Sequence, residues 1–217
     1  MVVRSMPAEW FHPADSKERR RAALLGQLGL ELDTFLMMYH GVVVRNRGIE
    51  TAIRALVGRD AAALVVVGDG DLGYLQQLHE LASELGIRER VLFRPAVAFD
   101  VLGEYVGAAD VGLVTIPAAT ESYYLMLPNK LFENIQAGTP VVASDFPEVR
   151  AIVSEFDIGL LVDPLDLDQI NEALDKLQSD ATLRRRMSLN ANRAKSVLCW
   201  ERERESLAKA YAELFSR

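Results

Sequence analysis

From Thr34 onward the chain alternates short apolar runs with amphipathic stretches. Runs such as Leu64-Val65-Val66-Val67 and Pro140-Val141-Val142-Ala143 are apolar without alternation, the pattern of parallel strands covered on both faces. Strands are therefore predicted near 34–41, 62–67, 90–93, 110–115, 140–144 and 158–162, with helices filling the gaps. Three further helical segments follow, near 166–178, 180–197 and 200–215. Ahead of the first strand, residues 1–14 hold Pro7, Trp10, Phe11 and Pro13 without any period, as a linker does, and Asp15 or Ser16 can cap a helix running to about Leu28. The repeated βα unit predicts an α/β fold, a doubly wound parallel sheet of about six strands with C-terminal helices. Ligands of such sheets bind beyond the carboxyl ends of the strands.

Composition narrows this picture. The chain has 217 residues, half of them hydrophobic, and a single cysteine, Cys199, so no disulfide can close within it. Cysteine usage points to the reducing cytoplasm. A formal charge of −7 lacks the basic excess of a nucleic-acid-binding surface. The longest apolar runs, such as Ala61 to Val67, fall far short of the roughly 20 residues that span a bilayer, and no signal-peptide pattern opens the chain. A soluble, cytoplasmic protein is expected. Lys17, Arg19, Arg20 and Arg21 could meet an anionic membrane, but they read first as a solvated helix face.

Three loops could carry chemistry. Gly68-Asp69-Gly70-Asp71-Leu72-Gly73 closes a strand and opens a helix, formally a G-x-G-x-x-G dinucleotide fingerprint. Two aspartates there oppose a pyrophosphate, and Leu92-Phe93-Arg94-Pro95 stands where a ribose-binding acid belongs. Asp69 and Asp71 also form a D-x-D pair that could hold a metal, but no third acidic ligand accompanies it. Turn formation and helix capping are the expected roles. In the second loop, Tyr39-His40-Gly41 through Gly48, Arg45 and Arg47 precede a helix start. Cations at that end are disfavoured by the helix dipole unless an anion arrives. His40 reads as a satisfied core or loop residue. The third loop is Leu127-Pro128-Asn129-Lys130-Leu131-Phe132-Glu133, followed by Ala137-Gly138-Thr139-Pro140. Pro128 suits a helix's first turn and Gly138 its C′ position. Lys130 and Glu133, three apart, share one face. They form either an ordinary surface salt bridge or a pair reading two parts of one ligand. In the second case a diphosphate lies over the amides of Asn129 and Lys130, and Glu133 accepts hydrogen bonds from a vicinal diol.

Taken in order, Tyr39-His40-Gly41 with Arg47-Gly48, Val65-Val66-Val67-Gly68-Asp69-Gly70, Ala109-Asp110-Val111-Gly112-Leu113, Pro128-Asn129-Lys130-Leu131-Phe132-Glu133 and Gly138-Thr139-Pro140-Val141-Val142-Ala143-Ser144 resemble glycosyltransferase family 4. The resemblance spans about 34–165, and the Pro-Asn-Lys-Leu-Phe-Glu block is its specific part. It implies the GT-B architecture of two facing Rossmann-like domains, with this chain as the C-terminal, nucleotide-sugar-binding one. By the same resemblance Glu133 grips the donor ribose, Arg47 meets the donor diphosphate, and backbone around Phe93 and Arg94 touches the nucleobase. Two positions depart from the family pattern. Leu125 stands where the first glutamate of E-x7-E contacts the donor sugar, Glu121 being out of register by four. Val42 replaces the arginine that often follows the first strand's glycine, and Lys130, or else Arg45, is expected to compensate.

The resemblance implies a domain plan of linker and leading helix (1–33), Rossmann-like nucleotide-sugar-binding domain (34–197) and a C-terminal helix (198–217) that packs on an N-terminal domain. Because 217 residues cannot hold both domains, the acceptor-binding half is expected to be missing, together with any peripheral membrane contact made through it. The implied reaction is sugar transfer from a nucleoside diphosphate to an acceptor hydroxyl with retention. Arg47 and Lys130 would carry the leaving-group charge, with no metal or cofactor. This chain alone is expected to be inactive. Two alternatives stand beside this reading: an NAD(P)-binding oxidoreductase domain resting on Gly68 to Gly73, and a non-catalytic interaction module of the same fold.

Overall fold

The computed structural model describes residues 4–8 and 17–215, with only the backbone of Leu214. Residues 9–16, which include part of the expected linker and the expected caps Asp15 and Ser16, lie outside the described residues. Six parallel strands, β1 (Phe35–His40), β2 (Ala62–Val67), β3 (Val91–Arg94), β4 (Val111–Val114), β5 (Val141–Ser144) and β6 (Gly159–Val162), form one sheet in the order β3-β2-β1-β4-β5-β6. Strand order reverses between β1 and β4, which opens a crevice at their carboxyl ends. Each expected strand is present, and the Rossmann-like doubly wound sheet is the fold of the chain.

The helices are α1 (Lys17–Leu28), α2 (Ile49–Ala55), α3 (Leu72–Glu84), α4 (Phe99–Ala108), α5 (Glu121–Tyr124), α6 (Asn129–Ala137), α7 (Pro147–Phe156), α8 (Leu167–Ser179), α9 (Ala181–Ala194) and α10 (Trp200–Phe215). Side-chain alternation along the strands sends Met37, Tyr39, Leu64 and Val66 into a core shared with α2, α3 and α8. Leu36, Met38, Ala63 and Val65 pack on the opposite face against α1 and α4. A third cluster joins α6, α7 and the end of α9 to β5. Both faces are dry, hence the absence of polar alternation in the strands.

The basic face expected of α1 is not wholly solvated. Arg21 donates to the carbonyls of Ala108 (2.8 Å) and Thr34 (2.6 Å) and pairs with Asp110 at 2.9 Å. Asp110 in turn accepts from the Leu36 N–H at 2.8 Å. One carboxylate thus ties α1 to the amino ends of β1 and β4, where carbonyls and amides need partners.

The glycine-rich loop after β2 serves the fold. Asp71 caps α3 by accepting from the Tyr74 N–H at 2.7 Å, and Asp69 accepts from the Ala96 N–H at 2.9 Å. Capping and turn formation are therefore the roles of these aspartates, and the positive end of α3 already has its carboxylate. Gly70 pairs as a bridge with Val43. A Cβ at Gly70 would lie 1.9 Å from the Val43 carbonyl oxygen, so this glycine is required by backbone contact within the protein. Among the described residues no group of three His, Cys, Asp or Glu could hold a metal ion.

Residues 4–8 lie against the start of α10: the Trp200 N–H donates to the Pro7 carbonyl at 2.9 Å, and the Arg4 N–H to Glu203 at 3.0 Å. Apolar groups on α10 are exposed, among them Tyr211 and Phe215. Among the described residues no helix is long and apolar enough to cross a membrane.

Candidate functional site

Helix α6 stands over the crevice between β1 and β4. Pro128, with extended backbone (φ −75°, ψ 138°), is its N-cap, one position earlier than the first-turn placement expected, and Gly138, in the left-handed region, closes its end. Leu131, Phe132 and Ile135 anchor the helix in the core. Asn134 is fully buried, and its Nδ2 donates to the Lys130 carbonyl at 2.7 Å. The N–H groups of Asn129 and Lys130 have no acceptor within the helix, and they open the positive end of its dipole.

Lys130 and Glu133 do share a face, but they do not form the surface salt bridge that local spacing permits. Lys130 is 8% exposed, and its Nζ has no hydrogen-bond partner. The ammonium sits 3.7 Å from the centroid of the Tyr39 ring, where the ring face offers partial compensation. Burial, with Arg47 adding repulsion against the attraction of Glu133, brings its pKa from the ordinary 10.5 down to about 7. Glu133 Oε2 lies 2.8 Å from His40 Nε2. His40 is 2% exposed, and burial pushes its pKa down despite the carboxylate. The neutral ring therefore donates its Nε2–H to Glu133, which leaves Oε1 of the carboxylate available. The sequence alone reads His40 as a core or loop residue, with no role at a ligand. Its position at the carboxyl end of β1, where strand order reverses, was the available signal.

The loop after β1 completes the rim. Gly48, the N-cap of α2, is left-handed (φ 78°). A Cβ there would come 1.9 Å from the Thr115 carbonyl oxygen, so the loop closes directly onto the residue following β4. Arg47 stacks over Tyr123 at 5.0 Å from the ring centroid, and its buried Nε has no partner. Arg45 is placed elsewhere. It donates to Gln77 on α3 and lies over Tyr74, which removes it from the group formed by Arg47, Lys130, Glu133 and His40. Asn129 is exposed at the tip of α6. Phe93 and Arg94 end β3, two strands away; the Phe93 ring packs 4.3 Å from His79, and Arg94 donates to the Phe93 carbonyl at 3.0 Å. Leu125, at the end of α5, is 53% exposed. An apolar side chain thus stands at the rim where the family pattern carries a glutamate.

Comparison with known proteins adds to this geometry. Residues 21–194 match the family described as "Glycosyl transferases group 1". A D-inositol 3-phosphate glycosyltransferase of Xylanimonas cellulosilytica is 31% identical over 208 residues, covering 94% of this chain and 48% of the relative. The C-terminal domain of the group 1 glycosyl transferase LpcC from Francisella tularensis superposes with a TM-score of 0.67 at 20% identity, over 86% of this chain and 94% of that one. The Anabaena protein HepE, in complex with UDP and glucose, superposes with a TM-score of 0.78 at 19% identity, over 98% of this chain and 57% of that one. The chain spans about half the length of the curated relatives it matches.

Proposed function

The chain belongs to the glycosyl transferases group 1, family 4, and from that premise we propose that it is the donor-binding half of a retaining enzyme that moves a sugar from a nucleoside-diphosphate sugar to an acceptor hydroxyl. The observation that carries this reading is the buried ammonium of Lys130, without a hydrogen-bond partner, at the open end of α6. A buried cation of that kind is costly unless an anion completes it. A diphosphate lying over the amides of Asn129 and Lys130 supplies that anion. Arg47, whose Nε is also buried without a partner, meets the same group from the β1 side. HepE, which shares the fold, holds UDP and glucose, and this supports a nucleoside diphosphate as the ligand.

Within this reading Glu133, steadied by His40, accepts hydrogen bonds from the ribose diol through its remaining oxygen. The backbone at Phe93 and Arg94 borders the nucleobase. Transfer breaks the bond between the anomeric carbon and the diphosphate oxygen, and negative charge grows on the leaving group. Arg47, Lys130 and the α6 dipole, already in place, stabilise that charge more in the transition state than in the ground state. Arg45, engaged with Gln77, contributes only to the long-range potential. The domain plan follows the same logic: 1–33 as linker and leading helix, 34–197 as the nucleotide-sugar domain, and 198–217 as a helix for an acceptor-binding domain elsewhere in the full enzyme. That domain would also make any contact with a membrane surface. On its own the chain binds nucleoside diphosphate and transfers nothing.

Calorimetric titration of UDP, GDP and ADP tests the reading. One of the three is expected to bind, and Glu133→Ala to weaken it about tenfold or more, the effect of losing a hydrogen bond to a charged group. Unchanged affinity in the variant would remove the ribose role, and no binding of any of the three would remove the donor-site reading. Binding of a nicotinamide dinucleotide in their place would favour the oxidoreductase alternative.

A further inference from the structure

The end of the sheet away from α6's N-terminus holds a second concave feature. A cavity of about 900 Å³ lies between α1, α9 and the turn joining α6 to β5. Ala109, Asp110 and Pro140, which precede β4 and β5, form part of its wall, so it opens at the amino ends of the strands. Lys17, Arg20, Arg184, Arg185 and Lys195 also line it. This gathering of cations belongs to a chain whose formal charge is −7.

Among the described residues only two acids, Glu18 and Asp110, line the same cavity, and Asp110 is already committed. It pairs with Arg21 at 2.9 Å, approaches Arg184 at 3.6 Å and accepts from the Leu36 N–H. Arg184 is likewise tied down, donating to the carbonyls of Leu177 and Gln178. Lys17, Arg185 and Lys195 remain. Among the described residues none of these three side chains makes a hydrogen bond or ion pair. Burial holds the Lys17 ammonium below its ordinary pKa, with Arg21 and Arg20 adding to the effect and Asp110 opposing it. Like charges gathered in a concave, partly desolvated wall focus a positive potential, and their mutual repulsion is relieved only by an incoming anion.

We propose that this cavity binds a small anion carrying two or more phosphate groups, held by Lys17, Arg185 and Lys195. The volume lies in the range of small-molecule sites. Concavity favours a compact ligand over a lipid surface, whose headgroups lie in a plane and reach only the rim. Arginine and lysine together suit phosphate oxygens, the first as a fork and the second as a point charge.

The test titrates the whole chain with inorganic tripolyphosphate at constant ionic strength, using Arg185→Gln/Lys195→Gln, Lys17→Gln and, as the control for the α6 end, Lys130→Met. Binding by the unaltered chain is expected, weakened about tenfold or more at the cavity in both cavity variants, while Lys130→Met removes only such tripolyphosphate as is held at the α6 end and leaves the cavity binding in place. Binding lost in Lys130→Met but kept in the cavity variants would place the anion at α6, overturning this inference while sparing the donor-site reading. Absence of any tripolyphosphate binding overturns it too. So does preferential binding to phosphatidylglycerol vesicles through the same three residues, which would assign the patch to a membrane.

Discussion

Lys130 is the residue on which the chemistry turns. Its ammonium is buried, faces an aromatic ring and has no hydrogen-bond partner, so its protonation and any diphosphate in the crevice are linked. Between its folded pKa of about 7 and its ordinary 10.5, the unfolded chain holds a proton that the folded chain lacks, and stability rises with pH through that window. Below about pH 7 both states are protonated and the cost of burying the charge is felt in full. Lys130→Met is therefore expected to stabilise the empty protein by roughly 1–4 kcal/mol at pH 6. The advantage should shrink from pH 7 to 9, as read by differential scanning fluorimetry. The same substitution is expected to weaken binding of the cognate nucleoside diphosphate by about tenfold to a hundredfold, the value of a charge-assisted hydrogen bond. A variant that is less stable at every pH, with unchanged nucleotide affinity, would show that the ammonium is a packing element instead.

Elements are positioned by a few polar ties that cross long stretches of sequence. Asp110 joins Arg21 of α1 to the Leu36 amide of β1, and its side chain is only 17% exposed. Asp110→Asn is expected to cost about 2–4 kcal/mol in urea unfolding, because it leaves Arg21 partly buried without its counter-charge. A loss under about 0.5 kcal/mol would mean that the carbonyls of Thr34 and Ala108 suffice to hold Arg21. The elements themselves were legible in the sequence. Val65-Val66-Val67 and Val141-Val142-Ala143 are apolar throughout because both faces of the sheet are covered, and Gly138 and Pro128 bracket α6 where local backbone chemistry requires them. The ties were not legible. Glu133 and Lys130 lie one turn apart, and spacing alone permits a salt bridge between them. Glu133 instead meets His40, ninety-three residues away in the chain, a pairing decided by the β1–β4 crossover and invisible to any local window. Arg45 and Arg47, two apart, look equivalent in sequence. The turn sends one towards α3 and the other towards Tyr123.

At the scale of the whole molecule one parallel sheet presents two ends of different character. Its carboxyl end holds Lys130, Glu133, His40 and Arg47 around the crevice, and its amino end holds the cationic cavity between α1 and α9. The family motifs announced the first, because short-range blocks such as Pro128 to Glu133 build it. The second brings α1 and α9, far apart in sequence, to one place and left no motif. The central claim, that a diphosphate nests against the start of α6 with its ribose at Glu133, is tested most directly by a crystal structure of the chain soaked with the nucleoside diphosphate selected by calorimetry. The account predicts phosphate oxygens within about 3 Å of Lys130 Nζ and of the Asn129 and Lys130 amides, with a ribose hydroxyl on the free oxygen of Glu133. Nucleotide density at the glycine-rich loop before α3, or an empty crevice at saturating ligand, would contradict it.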